Sequence, residues 1–103
     1  MQISQKVEES SAYSLFVYAV RSPLTRDYYL RRLRIFFNHV NLLPNETMEV
    51  RCNYFAIEGI KEPNWAFSNI IKFLQFQKER VQREEITGAT LRNFVKSIKL
   101  FCP

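Results

Sequence analysis

Glycine, proline and histidine are scarce in this chain of 103 residues, which contains two glycines, four prolines and one histidine. So few turn-forming residues disfavour a β fold rich in turns and favour long helices. No apolar run approaches the roughly 20 residues that a membrane-spanning helix needs. The first ten residues, MQISQKVEES, are too polar for a secretory signal. We therefore expect a cytoplasmic protein with no membrane partner.

The residue patterns of common enzymes are also missing. His39 has no second metal ligand near it in the sequence, and no CxxC pair is present. Glycine-rich nucleotide-binding motifs, HExxH and a Ser/Cys–His–Asp pattern are absent as well. We predict no catalytic residue, no metal, no cofactor and no small-molecule substrate for these residues. Cys52 and Cys102 lie among apolar neighbours, which favours two buried thiols but leaves a disulfide open.

Apolar residues are plentiful: hydrophobic residues make up 47% of the chain and aromatic residues 15%. This content is enough for one folded domain with a core. The spacing of the apolar residues predicts a lead-in at 1–9 and helices at about 10–21, 22–42, 47–58, 65–84 and 88–102. The predicted fold class is therefore all-α, a compact bundle of about five helices. On the second helix, Tyr28 and Tyr29 are expected in the core or at its border.

The fourth predicted helix is apolar on two sides. One stripe comprises Phe67, Ile70, Ile71, Leu74 and Val81, and a second, roughly opposite, comprises Trp65, Phe73 and Phe76. Such a helix is usually central and packed on both sides; alternatively, the second stripe binds another domain or protomer. We expect Gly59 to end the preceding helix and Asn64 to cap this one.

Positive charge is concentrated in two segments. The chain has a formal net charge of +5 at pH 7. Five arginines lie between positions 21 and 34 against one acid, Asp27, and residues 88–103 contain three basic residues and no acid. Residues 44–64, in contrast, contain four glutamates against two basic residues. This distribution suggests an anionic partner that contacts the second and fifth helices and avoids the third.

Both basic helices follow a hydroxyl-bearing turn. Ser22 and Thr87 can cap the helix starts, and Thr25 and Thr90 follow three residues later. Helix starts present free N–H groups and the positive end of the helix dipole, which suit phosphates. Basic residues one or two turns further on can contact phosphates or base edges. For any single residue a solvated charged face explains the pattern better, but its repetition supports DNA binding, with the two helix starts side by side.

Two runs of the sequence resemble a known family. The runs FVYAVRSPLTRDYYLRRLRIFF and EITGATLRNFVKSIKLF are similar to the N-terminal core-binding, SAM-like domain of tyrosine recombinases (phage-type integrases), in particular to their archaeal branch. The first matches the family pattern S-x-x-T-x-x-x-Y-x-x-x-L-x-x-F through Ser22, Thr25, Tyr29, Leu33 and Phe36. A short apolar helix before it is matched by Leu15, Phe16 and Val20. The second matches an I-[ST]-x-x-T helix start through Ile86, Thr87, Thr90, Phe94, Ile98 and Phe101.

The resemblance implies a SAM-like four-helix core with one extra short helix at 47–58. Residues 10–103 would then form half of a clamp around double-stranded DNA in site-specific recombination or integration. Catalysis would belong to a C-terminal domain of the same protein, and other recombinase protomers on DNA would be further partners. The residues implied to contact DNA are Ser22, Thr25, Arg26, Arg31, Arg34, Thr87, Thr90, Arg92, Asn93, Lys96 and Lys99.

Two other functions remain open at this point. A helical protein-interaction module would use aromatic anchors, for which the candidates are Trp65, Phe73, Phe76, Tyr13 and Tyr18. A free-standing regulator of the helix-turn-helix type would bind one operator tightly as a dimer, with half-sites about one DNA turn apart.

Overall fold

A computed structural model describes residues 12–101. Within this range the chain forms five α-helices and no strand: α1 (Ala12–Ala19), α2 (Pro23–His39), α3 (Met48–Lys61), α4 (Pro63–Gln82) and α5 (Gly88–Phe101). The prediction of an all-α bundle of about five helices is confirmed. The predictions for the lead-in and for Cys102 concern residues outside the described range.

A cluster of aromatic rings fills the centre of the bundle. Phe36 and Phe37 of α2 are fully buried. The ring of Phe36 meets Phe55 of α3 and Phe73 of α4 edge to face, with centroid distances of 5.5 and 5.2 Å. Phe73 in turn meets Phe94 of α5 at 5.2 Å. Such pairs add to the stability gained from apolar burial. The arginine-rich helix α2 therefore also supplies two of the fully buried rings of the core, Phe36 and Phe37.

The bounds of α2 follow from its end residues. The side chain of Ser22 accepts a hydrogen bond from the Thr25 N–H at 3.4 Å, and Pro23 occupies the first helical position, where a missing N–H costs little. At the other end Asn41 adopts a left-handed conformation (φ 55°). The N–H of the next residue donates to the Phe37 carbonyl at 2.9 Å, as in a Schellman motif.

A single residue, Glu62, joins α3 to α4. The predicted stop at Gly59 and the predicted cap at Asn64 are both wrong, because α3 continues past Gly59 and α4 already begins at Pro63. Proline disfavours the helical conformation in the residue before it, and Glu62 accordingly has φ −132° and ψ 75°. Gly59 instead lies where the two helices approach, since a Cβ there would be 3.3 Å from the Cβ of Ala66.

Residues of both apolar stripes of α4 contact the core, as expected for a helix that is packed on two sides. Phe73, assigned to the second stripe, is fully buried, whereas Phe67, assigned to the first, is 65% exposed. Gln77 is buried on the same side as Phe73, and its Oε1 accepts a hydrogen bond from Arg80 Nη1 at 3.1 Å. Trp65 of the second stripe and Ile70 and Leu74 of the first also pack against the core cluster, so α4 has neighbours on two sides.

Arg51 stabilises the connection between α2 and α3, and it is only 3% exposed. Its Nε donates to the Leu42 carbonyl at 2.8 Å, and its guanidinium lies 5.6 Å from the ring centroid of Phe37. Nη2 is buried without a hydrogen-bond partner. Burial lowers the pKa of Arg51; Cys52 opposes this shift and the nearby charge of Arg34 adds to it. The start of the acidic helix α3 is thereby attached to the end of α2.

Candidate nucleic-acid interface

The two basic helices α2 and α5 pack directly against each other. Phe37 of α2 lies 6.2 Å from Phe101 of α5, measured between ring centroids. Phe16 of α1 contacts both helices, with its ring 6.3 Å from Tyr29 and 5.9 Å from Phe101. The segments that carry the predicted DNA contacts are therefore neighbours and do not lie on opposite sides of the molecule.

The start of α2 meets the second half of α5. Ser22, Thr25 and Lys96 line one depression of about 350 Å³, together with Arg21 and Leu100 among others. Thr87 and Thr90 precede Lys96 by six to nine residues, which is roughly 9–14 Å along the axis at 1.5 Å per residue. The expectation that the two helix starts lie side by side is therefore wrong: the start of α2 adjoins Lys96, about two turns after the start of α5.

Most of the predicted contact residues are open to solvent. Ser22, Arg31, Arg34, Thr87, Arg92, Asn93, Lys96 and Lys99 are exposed, and Thr25, Arg26 and Thr90 are partly buried. The spacing of Arg92, Lys96 and Lys99 puts them on one exposed face of α5. Arg26 is seven residues before the buried Leu33, so it lies on the core side of α2 and away from Arg31.

No ion pair within residues 12–101 involves a basic residue of α2 or α5. The ion pairs of this range join Lys61 to Glu58 within α3 at 3.5 Å and, at the C-terminal end of α4, join Glu85 to Arg80 and Arg83 at 3.3 and 2.7 Å. The glutamates of α3 therefore do not neutralise the basic helices. Unpaired basic side chains on the surface keep their charge available for an anion.

The capping hydroxyls occupy some of the donors expected at the helix starts. Pro23 has no N–H, and that of Thr25 donates to Ser22. At α5 the N–H of Thr90 donates to Thr87 Oγ1 at 3.2 Å, and the two hydroxyl oxygens lie 3.1 Å apart. The side chains along both helices, more than the helix starts themselves, therefore supply the groups that can bind an anion.

Tyr28, which was expected in the core or at its border, is a surface residue. It is 43% exposed, and the guanidinium groups of Arg31 and Arg32 lie 5.4 and 5.6 Å from its ring centroid. Leu24 and Ile35 are also exposed. The signal was present in the sequence, because positions 24, 28, 31 and 35 follow helical spacing and fall on one face, opposite the buried one.

The aromatic residues that would anchor a protein partner mostly belong to the core. Phe73 is fully buried, and Tyr13 and Trp65 are partly buried against the core cluster. Phe76 is half-exposed, and its ring lies 4.7 Å from that of His39. Only Tyr18 among the five is largely exposed. These residues therefore do not form one aromatic binding surface.

A metal-binding group and a membrane-spanning helix are absent from the part of the chain that the structure covers. Residues 12–101 contain no group of three or more His, Cys, Asp or Glu side chains placed to hold a metal ion. In the same range no helix combines the length and the apolar character that crossing a membrane requires. Comparisons of the chain with protein-family models, with curated proteins and with solved structures gave no match. The family assignment stays a prediction based on the two sequence runs.

Proposed function

We propose that this chain binds double-stranded DNA through α2 and α5, as the DNA-clamping domain of a site-specific tyrosine recombinase. The observation that carries the proposal is the depression where Ser22 and Thr25 meet Lys96, between two adjacent helices whose basic residues form no ion pair within 12–101. Contacts from arginine and lysine to phosphates supply essentially all of non-specific DNA affinity. Catalysis would belong to another domain of the same protein.

The charges on the surface suggest how the two helices share the DNA. Arg92, Lys96 and Lys99 form the basic face of α5, and Arg31 and Arg34 lie exposed on α2. These five side chains would bind phosphates. Asn93, also exposed on α5, has the amide group that can bond an adenine edge in the major groove. The acidic helix α3 packs mainly against α1 and α4, so it does not have to approach the phosphates.

The affinity of this arrangement follows from its charge. Half of a clamp should bind non-specifically, with a dissociation constant on the order of 10⁻⁴–10⁻⁶ M at physiological salt. Each phosphate contact makes the slope of log affinity against log salt more negative by about 0.9. With five or six basic side chains in contact, we expect a slope of about −5.

Lys96→Ala tests the proposal. Fluorescence anisotropy with short labelled duplexes, repeated over a salt series, should show that this variant binds every sequence more weakly. The slope of log affinity against log salt should become less negative by about 0.9. The matched control is Lys61→Ala, because Lys61 is exposed but paired with Glu58 on the acidic helix. The salt dependence of DNA binding by this variant should equal that of the wild type. Salt-independent binding by the wild type, or equal effects of the two variants, would refute the proposal.

A further inference from the structure

The outer face of α2 carries an aromatic ring flanked by cations. The ring of Tyr28 is 43% exposed, with the Arg31 and Arg32 guanidinium groups 5.4 and 5.6 Å from its centroid. Leu24 and Ile35 lie one turn before and two turns after it, and both are exposed. A face that binds only the phosphates of a duplex has no use for this apolar surface, since duplex phosphates require charge and hydrogen-bond donors.

An exposed tyrosine between arginines has the chemistry that binds an unpaired base. Every base has a π face that can stack on an aromatic ring, and the adjacent phosphates attract guanidinium groups. In an intact duplex the flat faces of each base are covered by the neighbouring base pairs. Only a base that has left the stack can therefore use the ring of Tyr28.

We infer that Tyr28, together with Arg31 and Arg32, forms a stacking site for an unpaired base, and that DNA with an unpaired segment is the preferred ligand of the interface. This inference rests on the proposed function and narrows its substrate class. Charge complementarity favours nucleic acid as the occupant, because α2 carries four arginines and one acid, Asp27, and no acid pairs with those arginines within residues 12–101.

The test compares two labelled DNAs of the same sequence, one fully paired and one with a central unpaired segment that contains 2-aminopurine. The wild-type chain should bind the second more tightly and quench its 2-aminopurine fluorescence. Tyr28→Ala should weaken binding to the unpaired DNA by about 5- to 150-fold, which corresponds to ~1–3 kcal/mol per stacked base. The Tyr28→Ala variant should lose the preference for unpaired DNA. The Tyr28→Phe variant should keep this preference, because the aromatic ring is retained.

Tyr54 provides the matched control. It is 41% exposed on the acidic helix α3, and no guanidinium lies over its ring within residues 12–101. Tyr54→Ala should leave both affinities unchanged. Circular dichroism melting curves establish that each variant is folded.

The outcomes separate this inference from the proposed function. If the wild type binds the duplex but shows no preference for unpaired DNA, or if folded Tyr28→Ala keeps the preference, the stacking site is refuted and duplex binding stands. If Tyr28→Phe loses the preference as completely as Tyr28→Ala, stacking is also refuted. If the wild type binds neither DNA, the proposed function and the stacking site are both wrong.

Discussion

Replacing Phe73 by alanine should remove the ring that connects α4 to both basic helices. Phe73 is fully buried. Its ring centroid lies 5.2 Å from that of Phe36 on α2 and 5.2 Å from that of Phe94 on α5. A third ring, that of His39, lies 5.3 Å away. The variant would therefore leave a cavity between the helices that carry the proposed DNA-binding residues.

The expected cost is a large part of the stability of the domain. Truncation of a buried phenylalanine to alanine costs about 3–5 kcal/mol. Loss of the edge-to-face pairs, at about 0.5–1.5 kcal/mol each, puts Phe73 at the upper end of that range. A domain of this size has a free energy of unfolding of roughly 5–15 kcal/mol. At about 4–8 °C per kcal/mol, Tm should fall by roughly 20–40 °C.

Thermal and urea denaturation followed by circular dichroism measure this change. The matched control is Phe67→Ala, which removes the same ring from the same helix at a position that is 65% exposed. It should change the free energy of unfolding by less than about 1 kcal/mol. If Phe67→Ala costs as much as Phe73→Ala, the assignment of Phe73 to the core side of α4 and of Phe67 to the surface is wrong.

Two further predictions concern the segment before α5. Thr87→Ala removes the acceptor of the Thr90 N–H, 3.2 Å away, and should lower the free energy of unfolding by about 1 kcal/mol in urea denaturation; Thr87→Ser should not. The hydrogen bond from Arg83 and its charge hold the pKa of Glu85 below its ordinary 4.5. This pair therefore stabilises the fold above that pH and stops doing so as the pH falls through the lowered pKa. The Tm difference between wild type and Glu85→Gln should accordingly vanish in acid. A difference that persists there would show that the ionised carboxylate of Glu85 is not what stabilises the fold.

Helix number and order could be predicted because most helices bury one clear stripe. On α2 the spacing of Tyr29, Leu33, Phe36 and Phe37 identified residues that the structure buries. The core side of α4 could not be predicted in the same way. That helix has apolar residues on two sides, and the buried Gln77 satisfies its side-chain oxygen locally, a detail that no periodicity encodes.

The candidate site was predictable in charge but not in geometry. Charge counts located the basic residues on α2 and α5, since charged side chains seldom enter a core. That Ser22 adjoins Lys96 and not Thr87 depends on how the two helices cross, which is decided by contacts such as Phe37 against Phe101. These contacts join residues far apart in the sequence. Tyr28 could have been recognised as a surface residue from its position opposite the buried stripe.

The buried guanidinium of Arg51 bears on how the protein keeps its opposite charges apart. Its bond to the Leu42 carbonyl spans the connection between the positively charged helix and the negatively charged one. A cation therefore lies at this junction, with Arg34 of α2 near enough to lower its pKa. A shorter, neutral side chain at position 51 would remove the bond to the Leu42 carbonyl and would leave Glu49 as the charged residue of the first turn of α3.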